Sequence, residues 1–156
     1  MESMVAHLGK IFKSKGLTLA VAESCTGGLL GGAVTSAAGA SSYFRGGVIA
    51  YDNDIKRDIL GVQAADLEGH GAVSGPVVHG MASGAAKLFS ADCGVSVSGI
   101  AGPGGGTDEK PVGLVFIGIY YQGKAQSRSF TFKGDRSDIR SQSVRAAIEF
   151  LIDVVK

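Results

Sequence analysis

Runs of apolar residues without alternation constrain the fold of this chain more than any other feature. Leu17-Thr18-Leu19-Ala20-Val21-Ala22 has no alternating polar face, and Val112–Tyr121 is a longer, nearly continuous apolar stretch. Strands of that kind are buried on both faces, which requires helices above and below the sheet. The remaining segments supply them. Met4, Val5, Leu8, Ile11 and Phe12 recur at helical spacing within residues 2–15. Residues 26–38 read as a helix of small residues ended by Gly39. A further helix runs through Ile55, Ile59 and Leu60 to Gly61, capped by Asp52 or Asn53, with a helical turn at 64–67. Ser74 caps a longer helix with Pro76 in its first turn. The last helix begins near Asp135 or Ser137 and buries Ile139, Val144, Ile148, Leu151 and Val155.

The other strands are short. Gly47–Tyr51 and Cys93–Ser98 suit a sheet, Gln122-Gly123-Lys124 makes a hairpin turn, and 127–133 alternates with Phe130 and Phe132 on one face. That last strand is half exposed and antiparallel to Val112–Tyr121. The order α-β-α-β-α-α-β-β-β-α predicts a single layered α/β/α domain over 1–156, with a mixed parallel and antiparallel sheet. No repeat or linker interrupts it.

Composition narrows the function. A chain of 156 residues with net charge +1 sets up no broad field for nucleic acid or a membrane surface, and no basic run interleaves with aromatics. The N-terminus has no signal-peptide pattern, and no apolar stretch reaches membrane-spanning length. Cys25 and Cys93 form no CxxC pair, which reads as a reduced, cytoplasmic chain. His7, His70 and His79 have no partner at metal-ligand spacing. Glycine is abundant, at 25 residues, and clusters beside the apolar runs, where backbone turns sharply or approaches a ligand.

Four segments carry chemistry. Ala22-Glu23-Ser24-Cys25-Thr26-Gly27-Gly28 places a hydroxyl, a thiol and helix-entry amides at the carboxyl end of a strand, the parts of an acyl-transfer site. The same residues serve equally well as an N-cap. Tyr51–Lys56 ends a strand and enters a helix. Lys56 suits a solvated lysine, but as a neutral amine it is a general base for Ser24, with Tyr51 able to carry the proton. An ordinary lysine is neutral about once in two thousand molecules at pH 7, and closing that gap takes about 4 kcal/mol of desolvation or neighbouring positive charge. The loop from Gly99 to Gly106 follows a strand, lacks the P-loop ending, and lets backbone amides approach a carbonyl or phosphate. Arg136 and Arg140 lie one helical turn apart and could clamp a phosphate or pair with Asp135 and Asp138 as a solvated face. GxSxG and SxxK are both absent, so a serine–lysine pair has to assemble from distant segments.

Taken in order, AESCTGG, SYFRGGVIAYDNDIK, GAVSGPVVHGMASGA, SGIAGPGGGTDEKPVG and GDRSDIR resemble the CinA C-terminal domain family, from about Leu17 to Val155. The resemblance implies a CinA-like fold of the stand-alone type and a nicotinamide-nucleotide amidase, which converts nicotinamide mononucleotide to nicotinate mononucleotide and ammonia in pyridine-nucleotide recycling. It implies Ser24 as nucleophile with Lys56 and Tyr51, and neither metal nor organic cofactor. Substrate is then expected against Cys25, Thr26, Gly27 and Gly28, against Ser98, Gly99, Ala101, Gly102 and Gly104, and against Arg136 and Arg140. Ser98 stands where this motif often begins with Thr and keeps the hydroxyl. The expected partner is a small pyridine nucleotide, with no nucleic acid or membrane, and the small-residue helices suit a homo-oligomer. Two other readings remain: Cys25 as nucleophile, or a nucleotide-binding module without catalysis.

Overall fold

The computed structural model describes residues 1–156. Five strands, β1 (Leu19–Glu23), β2 (Phe44–Ile49), β3 (Cys93–Gly99), β4 (Leu114–Tyr121) and β5 (Lys124–Thr131), form one sheet in the order β2-β1-β3-β4-β5. β1 pairs in parallel with β2 and β3, whereas β3–β4 and β4–β5 are antiparallel. The sheet is therefore mixed, and the two continuous apolar runs lie inside it. β1 is buried at every position. β2 sits at the edge, and its alternate positions are exposed.

Six α-helices surround the sheet: α1 (Glu2–Lys15), α2 (Leu29–Thr35), α3 (Asn53–Asp58), α4 (Ala64–His70), α5 (Gly75–Leu88) and α6 (Arg136–Val155), with α4 packed on α5. α1, α2 and α6 pack on one face around a cluster that includes Leu8, Phe12, Leu30, Ile117, Ile148 and Phe150. α5 covers the other face, and Val77, Val78 and Met81 join Leu60 and Val62 in a smaller core. Glycines let α5 lie close to the sheet. A Cβ at Gly94 would overlap the Ala82 carbonyl, and one at Gly118 would overlap the Val78 carbonyl. α6 starts with a capping box in which Asp135 and Asp138 satisfy each other's backbone N–H.

Several details differ from the sequence reading, β5 for one spanning 124–131 rather than 127–133. α2 spans 29–35 rather than 26–38, because Gly27 and Gly28 take positive φ of 55° and 107° and keep residues 24–28 in a turn. β2 ends at Ile49, where its partner β1 ends at Glu23, so Ala50 and Tyr51 leave the sheet. Ser74 holds the N-cap position of α5, but its Oγ donates back to the Gly71 carbonyl at 2.7 Å instead of accepting from the helix.

Candidate active site

β1 delivers Ser24 to the carboxyl end of the parallel strands, the edge where open α/β sheets bind ligands. Its backbone N–H donates to the Val97 carbonyl of β3 at 2.9 Å, which anchors the residue one step past the strand. Ser24 is 8% exposed. Lys56 arrives from the neighbouring β2–α3 segment. Asp52 caps α3 by accepting from the Asp54 N–H at 2.7 Å, and the first helical turn carries Lys56 inward. Lys56 is 1% exposed, unusual for a lysine. Its Nζ lies 3.1 Å from Ser24 Oγ and 3.0 Å from the Tyr51 carbonyl oxygen.

Burial pushes the Lys56 ammonium below the ordinary lysine range, and the charge of Asp52 partly opposes this. A neutral Lys56 has one lone pair and two N–H groups. With one N–H given to the Tyr51 carbonyl, the lone pair is free to accept the Ser24 hydroxyl proton. Cys25 is a buried thiol with the opposite tendency: burial raises its pKa to about 11. Fewer than about one molecule in a thousand holds a thiolate there at pH 7.

Ser24 and Cys25 open onto a cavity of about 220 Å³. Its other walls are Tyr51, Arg136 and the loop after β3, through Gly99, Ile100, Ala101, Gly102, Gly104 and Gly105. This loop is ordered by its own hydrogen bonds. Ile100 N–H donates to the Leu114 carbonyl at 2.9 Å, Gly113 N–H to the Ile100 carbonyl at 2.8 Å, and Thr107 N–H to the Lys110 carbonyl at 2.8 Å. Arg136, the first residue of α6, crosses the cavity. Its Nη1 donates to the Gly102 carbonyl at 2.8 Å, and its Nη2 to the Tyr51 hydroxyl at 3.3 Å. The Tyr51 ring is exposed, and its hydroxyl meets Arg136 while its backbone carbonyl meets Lys56.

The structure thus brings Ser24, Cys25, Tyr51, Lys56, Gly99, Ala101, Gly102, Gly104 and Arg136 to one place. The other expected residues lie just behind it. Thr26 is fully buried with its Oγ1 unpartnered, and Ser98 is buried within β3. Gly27 and Gly28 shape the turn, and Arg140 donates to the Cys25 and Thr26 carbonyls at 3.1 and 3.3 Å.

Sequence reasoning missed Glu23. It is 2% exposed, and its two carboxylate oxygens accept from the Leu30 and Gly31 N–H groups at 2.8 and 3.0 Å. The entry amides of α2, expected to face developing negative charge, are therefore occupied by Glu23. The amides free for that purpose belong to the turn before the helix. A Glu directly before the Ser–Cys–Thr–Gly–Gly turn is the signal: an acidic residue beside a helix start is a capping candidate.

Fold and site together define an α/β domain with a buried serine–lysine pair at the carboxyl edge of a mixed sheet. The chain belongs to the CinA family, since the CinA C-terminal domain model matches residues 1–155. It is 51% identical over 153 residues to a CinA-like protein of Rippkaea orientalis, covering 96% of this chain and 37% of that protein. It is 50% identical over 155 residues to a CinA-like protein of Thermotoga maritima, covering 99% of this chain and 38% of that one. The chain therefore spans under two fifths of the length of these relatives. The crystal structure of competence/damage inducible protein CihA from Agrobacterium tumefaciens has the same fold, with a TM-score of 0.96, 41% identity, and coverage of 99% of this chain and 95% of that one. No helix of this chain is long and apolar enough to cross a membrane.

Proposed function

We propose that this domain is an amidase that hydrolyses the carboxamide of nicotinamide mononucleotide, with Ser24 as nucleophile and Lys56 as base, in pyridine-nucleotide recycling within the cytoplasm. The observation that carries this reading is the 3.1 Å contact between Ser24 Oγ and a lysine Nζ that is almost wholly buried. A lysine so placed is worth its desolvation cost only if the neutral amine is used.

In the first half-reaction, neutral Lys56 takes the Ser24 proton as Oγ attacks the carboxamide carbon. The carbonyl oxygen becomes an oxyanion, received by free N–H groups of the 24–28 turn or the Gly99–Gly106 loop. Each such donor contributes about 3–4 kcal/mol in the transition state. The C–N bond then breaks, and the Lys56 proton goes to the leaving nitrogen, which departs as ammonia. In the second half-reaction, water attacks the Ser24 ester, Lys56 takes the water proton, and that proton returns to Ser24 Oγ as nicotinate mononucleotide leaves. Tyr51 orients Lys56 through its carbonyl and presents its hydroxyl to the cavity beside Arg136, whose remaining donors suit an anionic group of the substrate.

The test is ammonia release from nicotinamide mononucleotide by the wild-type protein, Ser24→Ala and Cys25→Ser. Release by wild type and Cys25→Ser, with loss of several orders of magnitude in Ser24→Ala, is the expected pattern. Collapse in Cys25→Ser with retention in Ser24→Ala would transfer the nucleophile to Cys25. Binding without release by any of the three would make the domain a nucleotide-binding module.

A further inference from the structure

Glu23 is the point from which both halves of the serine–lysine pair are fixed. Its backbone carbonyl accepts from the Ala50 N–H at 2.7 Å, which sets the residue directly before Tyr51. Tyr51 in turn holds Lys56 Nζ through its own carbonyl at 3.0 Å. On the other side, Ser24 follows Glu23 in the chain, with its N–H tied to β3. The Glu23 side chain then reaches forward across the nucleophile turn. One carboxylate oxygen accepts from the Leu30 N–H at 2.8 Å and the other from the Gly31 N–H at 3.0 Å. The carboxylate therefore closes a loop around residues 24–29, and Ser24 sits just inside it.

α2 does little to fix this loop by itself. It has seven residues, two of them glycine, and buries only Leu30 and Val34. Helices that short are marginal on their own. Its N-cap position is Gly28, which has no side-chain acceptor, in contrast to Asp52 at α3 and Asp135 at α6. Gly27 and Gly28 both have positive φ and add little stiffness. Arg140 braces the middle of the turn, at the Cys25 and Thr26 carbonyls. The entry into α2 is held by Glu23 alone among the side chains. This carboxylate is 2% exposed and paired with no basic residue. Such burial is expensive unless the hydrogen bonds that accompany it are used.

We propose that Glu23 is a positioning residue, which closes the nucleophile turn onto α2 and so holds Ser24 Oγ within reach of Lys56 Nζ. It lines no part of the catalytic cavity, so it acts through Ser24 and not on the substrate. The consequence for rate rests on the amidase reading above.

Two variants and two readouts test this. Glu23→Gln keeps the size and one acceptor oxygen, but turns an NH2 group toward the second amide, donor against donor. Glu23→Asp keeps the charge and stops one methylene short. Each is expected to lose about 10²-fold in kcat on nicotinamide mononucleotide, the cost of about 1 Å of misplacement, with KM within a few fold of wild type. The turn itself is read without turnover. Cys25 is 5% exposed and Cys93 wholly buried, so native-state alkylation of Cys25 by iodoacetamide, located by mass spectrometry, reports how tightly the turn is held. Alkylation is expected to run about tenfold faster in each variant, through local opening of the turn. Burial and, to a lesser degree, the Glu23 charge raise the Cys25 pKa. Glu23→Asp retains that charge, so its faster alkylation comes from loosening and not from titration.

Thermal unfolding shows which variants are folded at the assay temperature, and either one suffices. Unchanged kcat and alkylation with only a lowered melting temperature would make Glu23 a structural cap and overturn the proposal. So would a raised KM at unchanged kcat, or full activity in Glu23→Asp, which would reduce Glu23 to a charge effect. If the wild-type protein releases no ammonia, the amidase reading fails, and the alkylation rates alone decide whether Glu23 holds the turn: no gain in either variant overturns it.

Discussion

At the scale of single residues, the site depends on a few polar side chains taken out of water against their ordinary preference. Lys56 is the clearest. Its ammonium loses hydration on folding, and its partners are a hydroxyl and a carbonyl rather than a carboxylate. Because its pKa is lowered in the folded state, the unfolded chain holds the proton to higher pH. Stability therefore rises with pH between the lowered value and the ordinary lysine value near 10.4, and at neutral pH the native state bears the cost of any buried charge. Lys56→Met is expected to raise the melting temperature at pH 6–7 while lowering turnover by about 10²–10⁴-fold, the worth of a positioned base. Calorimetry beside ammonia release checks both; a destabilised variant would contradict the buried-charge argument. Ser24 and Lys56 were legible in the sequence as candidate residues, since hydroxyl and amine are visible as residue types. Their meeting was not, because no local spacing such as SxxK links them. Glu23 was invisible for a related reason: its two amide partners lie seven and eight residues on, and nothing in its own identity marks it as buried.

At the scale of elements, the site is the product of where strands stop. β1 and β2 end together, which releases Ser24 from one and Tyr51 from the other at the same edge. The strand character of Leu17–Ala22 and Val112–Tyr121 could be read from their apolar runs, and the start of α6, expected near Asp135 or Ser137, falls with Asp135 as its N-cap. The start of α2 could not be read. Small apolar residues from Thr26 onward look helical, and only the positive φ of Gly27 and Gly28 shows that the turn comes first. Close packing of α5 on the sheet has a direct test. Gly118→Ala places a methyl against the Val78 carbonyl and Ser96 Oγ, both rigidly held. It is expected to destabilise the fold by about 1–3 kcal/mol, read from chemical denaturation, without changing KM. A neutral result would mean that α5 shifts freely on the sheet.

At the scale of the whole molecule, residues far apart in the chain converge on one cavity: the β1 turn, the β2–α3 junction, the loop after β3 and the first turns of α6. The mixed sheet makes this convergence possible, because its parallel half presents three strand ends together while the antiparallel half returns the chain to α6. Ordered motifs across the chain pointed to the CinA family before any geometry was known, and the family match and the shared fold agree with that reading. What the motifs could not convey was the division of labour between Arg136, which enters the cavity, and Arg140, which braces the turn beneath it.

The central claim is that a buried, depressed lysine activates Ser24, and the most direct test is the pH dependence of kcat/KM for wild type and Asp52→Asn. Asn retains the cap of α3 but removes a charge that favours protonated Lys56. The rate is expected to rise with pH along a single limb that levels off below the ordinary lysine range, and in Asp52→Asn that limb is expected to move to lower pH. A profile without such a limb, or a limb that stays in place or moves upward in Asp52→Asn, would contradict Lys56 as the base.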